Sequence, residues 1–279
     1  MPIFWPASFT HAVELRLENL PARLEGLRIA HVSDLHISRN RRRFGQIIEE
    51  AAGMEADLAV LTGDYMTDEG DEPIALSIMR QLAEVLARRV RLGVFGVCGN
   101  HDSPAFREQL KELPVRWLGD DACLLAQEPI LLAGFASDRV TNPDALAVLE
   151  RMEAVTGGAA EREKTAATDR PLRLLLCHFP YFLPAAADMG FDLMFSGHTH
   201  GGQVRLPARR ALYNSCDLPL HLSSGVLRLR RTQAAVSRGL GESGFPIRFF
   251  CPPHLPIYHL HRGPMPGSGG WHVENIRPW

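Results

Sequence analysis

The sequence predicts an α/β layered fold, and three observations carry that expectation. Short runs rich in Leu, Ile and Val, such as LRIAHVS (27–33) and ADLAVLTG (56–63), stop at polar residues, as buried strands of a parallel or mixed sheet do. Segments with helical spacing alternate with these runs. The polar residues that close the runs are mostly Asp, His and Asn, and a fold of this class gathers such residues along the C-terminal edge of its sheets.

The elements follow in order. The aromatic N-terminus, with Phe4, Trp5 and Phe9, is expected to fold back onto the core, with peripheral contact to a membrane surface as the alternative. The strand at 27–33 leads into RRRFGQIIEEAAGM, which reads as a helix, and the strand at 56–63 leads into a helix over 71–89. A strand at 92–99 precedes SPAFREQLKEL, where Ser103 is placed to cap a helix that Pro104 opens. Strands at 129–136 and 172–179 flank a helix at 143–155, and the small, charged stretch 156–170 reads as a surface loop. From residue 222, LSSGVLRLRRTQAAVSRGLG, PIRFF (246–250) and PIYHLHR (256–262) predict a closing set of antiparallel strands. The expected organisation is one domain over 1–262 with a C-terminal tail at 263–279.

With 279 residues the chain is long enough for one substantial core, and a net charge of −2 lends nothing to a nucleic-acid partner. The five cysteines form no CxxC pair, which fits a reduced protein. The N-terminus has neither the basic region with a following apolar run of a signal peptide nor a membrane-spanning stretch. A cytoplasmic protein is the expectation.

The chemistry lies just past the predicted strands: Asp34 and His36 in SDLHIS, Asp64 in TGDYM, Asn100, His101 and Asp102 in GNHD, His178 in CHFP, and His198 and His200 in SGHTHGGQ. Carboxylates, imidazoles and one amide oxygen suit borderline divalent ions such as Mn, Fe or Zn, and the absence of thiolates disfavours a soft metal. The groups are too many for one ion and suit two, with Asp64 bridging. Gly197, Gly201 and Gly202 allow the tight backbone that presents two imidazoles from one turn. Two divalent ions against two ligand carboxylates leave a centre that wants an anion. Ions roughly 3.5–4 Å apart hold a shared hydroxide that attacks a clamped phosphoryl group. The expected reaction is therefore phosphoester hydrolysis.

A DxH, a GD, a GNHD, a later strand-end His and a GHTH, in that order, resemble the calcineurin-like metallophosphoesterases from about residue 27 to about residue 205. SGHTHGGQVRLP and VSRGLGESGFPIRFFCPP resemble a narrower bacterial branch of small phosphodiesterases, related to enzymes that cleave the pyrophosphate of UDP-2,3-diacylglucosamine. The resemblance implies a four-layered α-β-β-α sandwich with mixed sheets. It implies one metal on Asp34, His36, Asp64 and His200, a second on Asp64, Asn100, His178 and His198, and His101 as the catalytic histidine. Mn is the favoured metal. A phosphodiester or pyrophosphate is the favoured bond, with UDP-2,3-diacylglucosamine or a broad range of monoesters as alternative substrates. An imidazole beside a metal ligand is also placed to stabilise or protonate a leaving oxygen. Asp102 either fixes the His101 tautomer or caps the following helix.

The chain departs from the family's protein phosphatases, because GDYMTDEG and GNHD replace the Asp-Arg-Gly and GNHE of that group. The expected substrate is a small molecule, nucleotide-sugar or lipid-linked, rather than a phosphoprotein. Metal-free scaffolds of this fold lose ligands, whereas every ligand position here is filled. Arg39, Arg41, Arg42 and Arg43 in SRNRRRF stand near a helix start, where cations are disfavoured; they contact a second phosphate or headgroup, or form a solvated basic face. His31 is expected in the core, and His259 and His261 on one solvated strand face.

Overall fold

The computed structural model describes residues 8–39, 44–135, 142–156, 170–206, 211–216, 218–264 and 272–274. Its strands are β1 (Thr10–Leu17), β2 (Arg28–Val32), β3 (Leu58–Thr62), β4 (Val94–Val97), β5 (Arg116–Trp117), β6 (Asp121–Leu124), β7 (Ile130–Gly134), β8 (Leu172–Leu176), β9 (Leu193–Ser196), β10 (Gly225–Leu229), β11 (Thr232–Val236), β12 (Leu255–Arg262) and β13 (His272–Glu274). The helices are α1 (Phe44–Gly53), α2 (Glu72–Arg89), α3 (Pro104–Leu110), α4 (Asn142–Val155) and α5 (Leu183–Asp188). Among the described residues, one sheet has the order β1-β12-β2-β3-β4-β5 and the other β13-β10-β11-β9-β8-β7-β6.

Alternation along the strands sorts the side chains into three cores, because successive residues face opposite sides of a sheet. Ala30 and Val32 of β2 and Ala59 and Leu61 of β3 pack with Ile47, Met79 and Phe106 of the three N-terminal helices. The intervening Ile29, Leu58 and Val60 share the central core with Leu174, Leu176, Leu193 and Phe195 of the second sheet. The opposite face of that sheet, with Leu175 and Met194, packs on Val148 and Met152 of α4 and Leu183 and Ala186 of α5. These layers make the four-layered α-β-β-α sandwich, and both sheets are mixed.

Helix starts follow the local chemistry. Ser103 accepts the Phe106 amide at 3.2 Å and Pro104 opens α3. Phe9 is fully buried and its amide donates to the Glu50 carboxylate, while Phe4 and Trp5 lie outside the described residues. Most of the loop expected at 156–170 also lies outside them.

The closing strands differ from the expectation. β10 and β11 are antiparallel, but β11 joins β9 in parallel, and β12 runs parallel to β1 and antiparallel to β2 in the other sheet. PIRFF is not a strand: Pro246 has no amide to give a ladder, Phe250 has φ +48°, and buried Arg248 donates to the Arg238 and Gly241 carbonyls. Within 263–279, His272–Glu274 pair with β10 as an edge strand.

The parallel strands β2, β3 and β4 of one sheet and β8 and β9 of the other deliver their following loops to a shared region. No helix among the described residues is long and apolar enough to cross a membrane.

Candidate metal centre

Asp34, Asp64, His178 and His198 each stand two residues beyond a strand end, after β2, β3, β8 and β9. The backbone there is unusual: φ is +51° at Asp34, +43° at His36, +57° at Asp64, +68° at His198 and +50° at His200. Non-glycine residues rarely enter this region, and five in one site require surroundings that enforce it. Main-chain bonds do so, from the Asp34 amide to Gly63 O at 3.0 Å, the His36 amide to Asp64 O at 3.0 Å and the Gly241 amide to Asp34 O at 2.7 Å.

Two glycines let the carboxylates approach the main chain. A Cβ at Gly197 would stand 2.2 Å from Asp34 Oδ2, and one at Gly99 would stand 2.2 Å from Asp64 Oδ1. The His198 amide instead donates to Asp34 Oδ1 and the His101 amide to Asp64 Oδ1, both at 2.9 Å.

The donor atoms form two groups that share Asp64. Asp34, His36, Asp64 and His200 are one, and Asp64, His178 and His198 the other, with ligand atoms within 4.8 Å of one another in each group. The Nε2 atoms of His36 and His200 face each other at 3.0 Å. His178 Nδ1 lies 2.6 Å from Thr62 O and His198 Nε2 3.0 Å from Ser215 O, so in the neutral rings these nitrogens carry the protons. The bare His178 Nε2 and His198 Nδ1 then face each other at 3.2 Å, with Asp64 Oδ2 3.2 Å from His178 Nε2. In the neutral tautomers three acceptors are thus aimed at one another, an arrangement that a cation fits, and carbonyl partners of this kind are the outer contacts that orient metal-bound imidazoles.

The titration directions agree with that charge distribution. Burial opposes charge on His178, yet Asp64 and then Asp34 outweigh it and raise the ring to about 9. Burial raises Asp34 to about 6. Burial works the same way on Asp64, but His178 and His36 prevail and hold it below the usual carboxylate range. Burial lowers His198 to about 4 and His200 well below the ordinary histidine value. The carboxylates thus favour positive charge at His178, while burial keeps His198 and His200 neutral, the form in which imidazole ligates a metal.

His101 is half-buried beside this cluster, its ring edge-on to His36 with centroids 4.8 Å apart. Its Nδ1 lies 2.8 Å from Thr67 O, which leaves Nε2 as the working nitrogen. Neither expected role of Asp102 is seen. Thr67 fixes the His101 ring, Ser103 caps α3, and the Asp102 carboxylate accepts the amides of Gly99, Tyr65 and Asp64 at 2.7, 2.8 and 2.9 Å. It ties the GNHD loop to the GD loop. Asn100 lies in the same loop with an exposed side chain.

A further chain of bonds reaches Asp34 from the core. Ser33 Oγ donates to Asp34 Oδ2 at 2.6 Å, Thr62 Oγ1 to Ser33 Oγ at 2.7 Å, and His31 Nε2 lies 2.8 Å from Thr62 Oγ1. Because each hydroxyl gives its proton toward Asp34, the fully buried His31 ring must donate from Nε2. Sequence reasoning placed His31 in the core but missed this relay, although Ser33 and Thr62 adjoin the motif residues. It also missed the Thr67 and Ser215 carbonyls, which carry no side-chain signal.

Arg39 is exposed and donates to Gly70 O at 2.8 Å, while Arg41, Arg42 and Arg43 lie outside the described residues. His261 is at the surface between Glu25 and Glu14, whose carboxylates raise its pKa, and His259 stands beside Glu14.

A buried cluster of Asp and His just past the strand ends of two mixed sheets is what a metal-dependent hydrolase of phosphoesters needs. The calcineurin-like phosphoesterase family profile matches residues 27–202, and the chain belongs to that family of metal-dependent phosphohydrolases. It is 25% identical over 244 residues to the metallophosphoesterase YkoQ of Bacillus subtilis, covering 87% of this chain and 86% of YkoQ. It is 25% identical over 242 residues to the phosphodiesterase YaeI of Escherichia coli, covering 84% and 82%. It is 23% identical over 292 residues to the UDP-2,3-diacylglucosamine pyrophosphatase LpxG of Chlamydia muridarum, covering 88% and 87%.

Proposed function

We propose that the chain hydrolyses a phosphodiester or pyrophosphate bond with two divalent ions, Mn favoured. The observation that carries this reading is the pair of donor groups sharing Asp64. Asp34, His36, Asp64 and His200 hold one ion, and Asp64, His178 and His198, completed by Asn100, hold the other. Bound ions supply the positive charge that neutralises and polarises the phosphoryl oxygens.

The chain's own groups do the rest. His101, oriented by Thr67 O, presents Nε2 to the leaving oxygen and in its protonated form gives it a proton as water attacks phosphorus from the opposite side; the proton that the attacking water loses passes to solvent, from which His101 is recharged. Asp102 keeps the His101 loop and the Asp64 loop in register. The Ser33–Thr62–His31 relay holds Asp34 in its rotamer. The likeness to YaeI and LpxG supports a diester or anhydride over a monoester.

The test uses metal-stripped protein refilled with Mn, given bis(4-nitrophenyl) phosphate and 4-nitrophenyl phosphate in parallel. Preference for the diester supports the proposal and makes UDP-2,3-diacylglucosamine the next substrate to try. Preference for the monoester replaces it with a phosphomonoesterase.

A further inference from the structure

A cavity of about 390 Å³ opens directly beside the metal centre, within the size range of small-molecule sites. His200 and Ser215 line it; the first is a candidate ligand, and the carbonyl of the second holds His198. Val204, Tyr213, Phe245 and Ile247 supply apolar lining.

Of the polar side chains around it, Thr199, Gln203 and Ser215 are already engaged. Thr199 Oγ1 donates to Ser223 O at 2.6 Å and Ser215 Oγ to His198 O at 2.5 Å. Gln203 uses both ends, with Nε2 donating to Ser243 O and Phe245 O at 3.0 and 3.1 Å and Oε1 accepting the Ser243 amide at 2.5 Å. These three groups have little left with which to read a sugar or a base, which favours apolar contact there.

The surroundings point the same way. Tyr213 is 71% exposed and Phe245 80%. Of the eleven large apolar side chains exposed among the described residues, eight lie between 206 and 250. Three of them, Tyr213, Phe245 and Ile247, meet at this cavity, and exposed apolar side chains grouped at one place mark an interaction site. The adjoining main chain is held in place: the Arg205 amide donates to Phe249 O and the Phe249 amide to Gln203 O, both at 2.9 Å. Phe250 and Gln203 are fixed at φ +48° and +47°. The apolar side chains stand on a braced backbone and have not collapsed onto the core.

We infer that the site takes a phosphoester whose organic group is apolar, and that Tyr213, Phe245 and Ile247 receive this group beside the scissile phosphate. This rests on the phosphoesterase reading and narrows its substrate from nucleosides toward amphiphiles.

The test is calorimetric binding of alkyl phosphates, methyl through octyl and below their micelle concentrations, to the Mn-loaded protein. Each methylene placed in the cavity should lower Kd by roughly fourfold, equivalent to about 0.8 kcal/mol, until the cavity is filled. Phe245→Ser and Tyr213→Ser, at exposed positions where folding is not at stake, should each flatten this gradient. A wild-type Kd independent of chain length, or a gradient that survives both substitutions, overturns the inference. Turnover of 4-nitrophenyl methyl phosphate separates the two ideas. A binding gradient without turnover keeps the apolar subsite and sinks the phosphoesterase reading, whereas turnover without a gradient does the reverse.

Discussion

Gly197→Ala is the smallest change that should injure the metal centre. The added methyl would stand 2.0 Å from Ser33 Oγ and 2.2 Å from Asp34 Oδ2, where ordinary contact needs about 3.5 Å. One or both oxygens must move by more than about 1 Å. That movement breaks the 2.6 Å Ser33–Asp34 bond and disturbs the 2.9 Å bond from the His198 amide to Asp34. Overpacking of this kind costs about 1–3 kcal/mol of stability, and loss of an outer-contact bond lowers metal affinity about 10–100-fold. Gly45→Ala is the control, because nothing lies within 4 Å of its Cβ and its place in α1 favours alanine. Manganese titration of the metal-stripped proteins by calorimetry, with thermal unfolding in parallel, measures both effects. The reasoning is refuted if Gly197→Ala binds Mn and melts like Gly45→Ala.

Three further outcomes follow from the site. His101→Ala should lower kcat about 100- to 10,000-fold while metal content stays that of the wild type, and loss of metal on dialysis would place His101 among the ligands instead. Asp102→Asn sets an amide NH2 against backbone N–H groups, so unfolding should show a loss of about 1–3 kcal/mol with the pH profile of kcat unmoved; a shifted profile at unchanged stability would restore the tautomer-fixing role. His31→Phe removes the donor to Thr62 and should weaken Mn binding about 10-fold or more, with His31→Gln recovering part of it; wild-type affinity in the Phe variant would show that the relay does not position Asp34.

Much of the site was legible because a buried parallel strand declares itself twice, by its apolar run and by the polar residue that ends it. LRIAHVS and ADLAVLTG located β2 and β3, and Asp34 and Asp64 follow from their ends. β1 was missed although Val13, Leu15 and Leu17 alternate with Glu14 and Arg16, because its partners in β12 lie 245 residues away along the chain. PIRFF misled for the opposite reason: a short apolar run reads as a strand, and only the fold shows that its arginine is a buried clamp on main-chain carbonyls. Asp102 was misread because a carboxylate after a histidine suggests a side-chain partner, whereas three backbone amides from two loops converge on it. The strained φ values and the engaged polar groups of the cavity belong to geometry alone.

The most direct test of the central claim is a Mn titration of metal-stripped protein, following bound metal and hydrolysis of bis(4-nitrophenyl) phosphate together. The account predicts saturation at two ions per chain, with activity arising as the second site fills. A chain that binds no Mn and stays inactive at saturating metal would contradict it.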